Sequence, residues 1–340
     1  QWSAFLRRAS VAPAEAALLE SKPNSIFLRG VHQEETLFDA QRGAYTALWE
    51  QGLGVDFLDL HRSEPAALAR YRCLVLPQLG LLAEDQAHDL EAYVRQGGIV
   101  IGFSRCATLD DRGWYHHPLP IGGLRPVFGL KSIRAATLDG QSVHFQGSDY
   151  PAWANRDFVE PDDSTEILAA FDDGWPAVTL ARHGKGAGIY LATQADVGQL
   201  RGQPALLGAV LAEVQRRFRI EPQIQVAAPS GRPRGLDAHV LEDGSRTMVL
   251  FSNYSPTDCQ ARFSFRIDGR RPDKIEVVYP VQSEVRWEVT GSYLETALQF
   301  RRKEVKAILI TWGGAVQQHR PAERVHAKKP NLVHTKGRLT

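Results

Sequence analysis

The chain has 340 residues, a formal net charge of +1, 43% hydrophobic residues and 23% charged residues. That length exceeds what one hydrophobic core usually serves, so two domains are expected in a globular protein. The near-neutral charge gives no overall nucleic-acid or membrane-surface signature, and no apolar run approaches the roughly 20 residues that span a bilayer.

The N-terminus, "QWSAFLRRAS", has no apolar signal-peptide core and no initiator methionine, since the one Met is Met248. Residues 1–23 therefore read as a helix and linker leading from a missing upstream domain. Trp2, Phe5 and Leu6 form one apolar patch and Ala14–Leu19 another, before "SKP" breaks the pattern.

From Ser25 strand and helix periods alternate. "SIFLRGV" is a short apolar run of strand type. "TLFDAQRGAYTALWEQG" sets Phe38, Gln41, Tyr45, Leu48 and Trp49 near one helical face, with Gly52 as a stop. "VDFLDL" and "CLVLPQ" are two more strands. "AEDQAHDLEAYVRQGG" carries acids in its first turn, apolar groups at Ala87, Leu90, Tyr93 and Val94, and paired glycines at its end. "IVIGF" closes the series. Such alternation predicts right-handed crossovers and a parallel sheet covered on both faces, a flavodoxin-like α/β domain over residues 24–219.

Residues 104–150 read as an insertion, with "LRPVFGL", "SIRAATL" and "SVHFQG" strand-like between turns. The α/β theme resumes with "EILAAF", the hairpin "PAVTLARHGKGAGIYLAT" turning at His183-Gly184-Lys185-Gly186, and the amphipathic helix "QPALLGAVLAEVQRRF". Beyond Arg219 short strands recur about every ten residues without helical stretches, which predicts a small all-β sandwich over residues 220–315. Residues 316–340 form a polar tail with six Lys or Arg against one Glu, read as disordered and solvated rather than as a nucleic-acid arm.

Cys106 sits just past the carboxyl end of "IVIGF", where α/β folds place nucleophiles. A thiol nucleophile needs an exposed strained turn, a base and backbone N–H donors for the oxyanion. In "GFSRCATL" Arg105 could lower the thiol pKa, and His183, His116 or His117 would have to be the base. None of the three is followed closely by an orienting acid, and no glycine flanks the cysteine, so Cys106 reads as an inert loop residue. "HGKGAG" joins two strands rather than a strand and a helix, and so reads as a turn and not a phosphate loop. The acidic pairs Glu34-Glu35, Asp110-Asp111, Asp162-Asp163 and Asp172-Asp173 read as loop acids or helix caps. In "DDRGWYHH", Trp114, Tyr115 and His116, with Arg105 beside them, are candidates for contacting a sugar or a neighbouring subunit; local packing is the competing account. Cys73, Cys106 and Cys259 lie far apart with no ligand spacing, so neither a metal nor another cofactor is expected. The sparse, odd count points to a reducing cytoplasm.

These segments bear a family resemblance. "YRCLVLPQLGLLAEDQAHDLEAYVRQGGIVI" resembles the middle of the trimerisation domain of family-42 β-galactosidases. "WPAVTLARHGKGAGIYLAT" is similar to that domain's late hairpin, and "DGSRTMVLFSNYS" and "VKAILITW" to parts of the family's small C-terminal β domain. The resemblance covers about residues 20–313. It implies a glutamine-amidotransferase-like domain without its nucleophile, a β-sandwich, homotrimer assembly and a parent enzyme acting on β-galactosides through an upstream (β/α)8 barrel. The family's acid/base glutamate follows an Asn, and the four asparagines here (Asn24, Asn155, Asn253, Asn331) precede Ser, Arg, Tyr and Leu. The catalytic residues therefore carry over to no position, and the implied role is non-catalytic assembly. Two other classes stay open at this point: a stand-alone amidotransferase-like hydrolase using Cys106, and a carbohydrate-binding module using Trp114 and Tyr115.

Overall fold

The computed structural model describes residues 3–116, 124–137, 140–201, 205–228, 235–280 and 285–313. The chain opens with α1 (Ser3–Leu6), β1 (Ser10–Val11) and β2 (Ala16–Glu20), followed by α2 (Lys22–Gly30), α3 (Glu34–Glu50), β3 (Val55–Asp59), α4 (Pro65–Leu68), β4 (Cys73–Leu76), α5 (Glu84–Gln96) and β5 (Ile99–Phe103). A second stretch holds α6 (Leu124–Phe128), β6 (Leu130–Thr137), β7 (Ser142–Phe145), β8 (Ser148–Pro151), β9 (Asn155–Pro161) and β10 (Glu166–Phe171). Then come the hairpin β11 (Pro176–His183) and β12 (Gly186–Leu191), α7 (Ala195–Arg201) and α8 (Leu206–Phe218). The last strands are β13 (Ile224–Ala227), β14 (Leu236–Glu242), β15 (Arg246–Asn253), β16 (Cys259–Arg266), β17 (Arg271–Tyr279), β18 (Glu288–Thr290), β19 (Tyr293–Phe300) and β20 (Val305–Gly313).

One nine-stranded sheet runs β3-β2-β4-β5-β12-β11-β10-β7-β8. Its first five strands pair in parallel, and in chain order they lie second, first, third, fourth, fifth. The remaining four extend the sheet antiparallel through hairpins. Strands β4, β5 and β12 are buried along their whole length, as expected of parallel strands covered on both faces. The mixed α/β class is therefore as the sequence predicts.

Several elements differ from the sequence reading. Residues 1–23 are not a helix and linker: "AALLE" is β2, fully buried in the middle of the parallel sheet, and Ser10–Val11 pairs with β14 of the sandwich. A five-residue apolar run has no period that separates strand from helix. "SIFLRGV" belongs to α2, not to a strand. "SKPN" starts that helix, with Ser21 accepting the Asn24 N–H and Pro23 in the first turn, where its missing N–H costs nothing. "LRPVF" is α6 and not a strand. On α3 the core face is Leu37, Ala40, Gly43, Ala44, Ala47 and Leu48, while Phe38 and Tyr45 point outward. Small residues face inward because α7 packs closely there; a Cβ on Gly43 would lie 1.8 Å from the Asp196 carbonyl oxygen.

The sandwich faces a five-stranded sheet, β1-β14-β15-β20-β17, against a four-stranded one, β13-β16-β19-β18. Phe251, Phe263, Phe300 and Trp312 fill the space between them. The outer face of the five-stranded sheet is also apolar, and α1 covers it. Phe5 is fully buried against Met248, Val278, Ala307 and Leu309, under the Arg246 guanidinium. Among the described residues no helix is long and apolar enough to cross a membrane. The tail 316–340 and His117 lie outside the described residues.

Candidate functional site at the carboxyl edge of the sheet

Loops leaving adjacent parallel strands converge beyond their carboxyl ends, the usual place for ligands and chemistry in open α/β sheets. After β2, buried Asn24 accepts from the Gly80 and Leu81 N–H groups and donates to the Gln78 carbonyl, locking the loop after β4. After β5 the backbone turns through Ser104, Arg105 (φ 67°), Cys106 and Ala107 (φ 54°). After β12 come Thr193, Gln194 and Asp196, all buried. Asp157 enters from β9, accepting from Tyr190 Oη (2.6 Å) and from the Arg105 N–H (3.0 Å).

Cys106 lies between these carboxylates, 3% exposed. Burial pushes its thiol up to about 12, and Asp157 and Asp196 push in the same direction by opposing a thiolate. Arg105 does not offset this; its guanidinium Nε lies 3.9 Å from Asp157 Oδ1. His183 stands at the opposite, amino edge of the sheet, where its Nε2 faces Glu91 (3.1 Å) and Arg95. The pairing of Cys106 with His183 is therefore corrected: the length of β5 separates them. His116 buries its Nε2 without a partner among the described residues, and it is not among the groups that shift the thiol. The hydrolase reading thus loses its thiolate and one of its bases. Labelling with iodoacetamide near pH 8 is expected to modify Cys259 in the native protein and to spare Cys73 and Cys106 until unfolding; rapid native modification of Cys106 would contradict this.

Asp196 is fully buried, with Oδ2 unpartnered among the described residues. Burial raises its carboxyl to about 7, against the opposing hydrogen bonds of the Val197, Asp196 and Gln78 backbone. Asp157 is also raised by burial, partly countered by Tyr190 and Arg105. Both side chains are closed off from solvent, so no sugar reaches either. No group of three or more potential metal ligands occurs among the described residues.

The loop beyond Cys106 is a small hairpin fixed to the body. Ala107 and Leu109 donate to the Leu79 and Gly80 carbonyls, and Leu82 donates to the Leu109 carbonyl. Asp110 Oδ1 accepts from the Arg112 and Trp114 N–H groups. The result is rigid presentation of two aromatic side chains, Trp114 at 72% and Tyr115 at 65% exposure. Arg105 is half-buried toward Asp157, whereas Trp114 and Tyr115 stand free for contact. Position alone located Cys106 and this hairpin in the sequence. Asp157, Tyr190 and Asp196 were missed; the polar run "ATQAD" directly after a buried strand was the available signal for the last.

These features define an enzyme-like α/β scaffold whose catalytic edge is sealed, joined to a β-sandwich. A family model described as "Beta-galactosidase trimerisation domain" matches residues 14–221, and the chain belongs to that family. It is 25% identical over 191 residues to the β-galactosidase BgaB of Geobacillus sp. (strain Y412MC61), covering 54% of this chain and 26% of that protein. It is 25% identical over 240 residues to the β-galactosidase BglY of Alicyclobacillus acidocaldarius, covering 67% and 32%. The chain thus spans between a quarter and a third of these relatives' length. Its fold is similar to that of Gan42B, a GH42 β-galactosidase from G. stearothermophilus, with a TM-score of 0.70 at 19% identity over 88% of this chain and 40% of that one.

Proposed function

We propose that this chain is the non-catalytic assembly part of a β-galactosidase-like glycosidase and that it joins three copies into a cyclic homotrimer. The family match over residues 14–221 carries this reading. Its α/β unit is flavodoxin-like, of the glutamine-amidotransferase type; the second-first-third-fourth-fifth order of the parallel strands supports that assignment. The unit starts at β2 rather than at residue 24 and ends near 219, and the sandwich of residues 220–315 braces it. Hydrolysis of terminal β-galactosides, with the carbohydrate substrate, belongs to a catalytic barrel of the parent enzyme. The free thiols of Cys73, Cys106 and Cys259 fit a cytoplasmic setting. No nucleic acid or membrane takes part.

A cyclic trimer needs one surface docking on a different surface of the neighbour. The Trp114–Tyr115 hairpin is the contact we assign to one side, because rigid exposed aromatics act as anchors. Trp114→Ala is expected to weaken self-association at least tenfold, read by light scattering after gel filtration. An unchanged trimer that loses glycan binding would instead favour a carbohydrate-binding hairpin. The purified chain is expected to leave a chromogenic β-galactoside intact; turnover that co-purifies with it would contradict a non-catalytic role.

A further inference from the structure

The aromatic stripe of α3 that the core does not use borders an opening between the α/β unit and the sandwich. Tyr45 (37% exposed) lies over Phe57 (51% exposed) of the edge strand β3, with ring centroids 6.0 Å apart and planes 14° from parallel. Tyr254, 65% exposed, comes from the loop after β15. Partial burial raises the Tyr45 phenol, and Asp237 and Tyr254 raise it further, which places all three around one entrance.

The opening is a cleft of about 150 Å³ lined by Tyr45, Trp49, Asp56, Asp237, His239 and the backbone of Gly52–Val55. Its polar groups are fixed in direction. Asp237 Oδ1 accepts from Trp49 Nε1 at 2.8 Å, and Oδ2 lies 2.7 Å from His239 Nε2. Asp56 Oδ2 accepts from Tyr71 Oη at 2.9 Å. Glu15, also lining the cleft, is held by the Gly54 and Gln223 N–H groups.

This chemistry selects among ligand classes. Three carboxylates disfavour a phosphate or another anion. A purely apolar ligand would leave those carboxylates desolvated without hydrogen bonds. A cation finds Asp237 already matched by His239. A neutral ring with an apolar C–H face and a rim of hydroxyls fits every group: the face stacks on the aromatic rings, and the hydroxyls donate to carboxylates and exchange hydrogen bonds with His239 and Tyr45. The volume equals that of about five liquid water molecules, which suits one ring with the remainder of a saccharide outside. Interfaces between domains are a common place for such pockets.

We infer that this cleft binds a single sugar ring of a neutral saccharide, stacked on Tyr45 and Phe57 and hydrogen-bonded to Asp56, Asp237 and His239. The inference rests on the cleft and not on the assembly reading, so a chain found to be monomeric leaves it standing. The test is titration of the whole chain with methyl β-galactoside and methyl β-glucoside, followed by saturation-transfer NMR. Saturable millimolar binding of either sugar is expected, weakened at least tenfold by Tyr45→Ala and by Phe57→Ala and unchanged by Tyr279→Ala, an exposed aromatic that does not line the cleft. Phe57→Ala removes a half-exposed side chain, so it remains informative should Tyr45→Ala fail to fold. No saturable binding of either sugar, or binding that survives both substitutions, would overturn the inference.

Discussion

Replacing Arg156 with alanine is expected to destabilise the α/β unit by about 3 kcal/mol. The guanidinium, 3% exposed, donates to Asp173 Oδ1 at 2.7 Å and to Gln141 Oε1. It is also layered between two rings, 4.2 Å from the centroid of Phe158 and 4.3 Å from that of Phe171. Strand β9 is thereby tied to the turn between β10 and β11. Removing it loses a charge-assisted hydrogen bond and two stacked cation–π contacts, each of roughly 1–2 kcal/mol when desolvated. For a unit of about 200 residues the midpoint of thermal unfolding should fall by roughly 6–12 °C. Arg156→Lys keeps the charge but not the planar fork, and should recover less than half of the loss. A shift within about 2 °C for the alanine variant would show that the clamp contributes little.

Asp196→Asn should act in the opposite direction, and only at neutral and higher pH. The folded-state pKa of this carboxyl is raised to about 7, above an ordinary value of 3.8. The folded protein therefore holds a proton that the unfolded chain has released. Below about pH 4 both states are protonated and the group has no effect. As pH rises from about 4 to 7 the native state loses stability, and above 7 the loss levels off at roughly 4 kcal/mol. Asparagine carries no such charge, so the variant should match the wild type near pH 4 and exceed it by roughly 2–4 kcal/mol at pH 8 in urea unfolding. Parallel pH profiles for the two proteins would mean that Asp196 is solvated or paired in solution.

The helices α3, α5 and α8 and the strands β3, β4 and β5 were legible because each carries a long period or a cap. Leu90, Tyr93 and Val94 with the Gly97 stop show how: the apolar face and the positive φ are both written locally. β2 was not legible. "AALLE" is apolar at every position, and only its parallel partners on both sides distinguish it from a buried helix. The α3 face was misread because hydrophobicity favours Phe38 and Tyr45, while the observed contact is decided by how closely α7 approaches at Gly43. Of the candidate site, the loop at Cys106 could be located from its strand. Its inertness depends on Asp157 and Asp196, which arrive from β9 and the segment after β12, at sequence distances no local pattern reports. The exposure of Trp114 and Tyr115 was legible, since "DDRG" ahead of them is turn chemistry, and Asp110 makes that turn.

Sedimentation velocity of the purified chain over the micromolar range bears most directly on the proposal that these domains supply shape and contact surface rather than chemistry. The expected result is one species at three times the 37.8 kDa chain mass, broken down by Trp114→Ala. A monomer at every concentration, or a stable dimer, would contradict it.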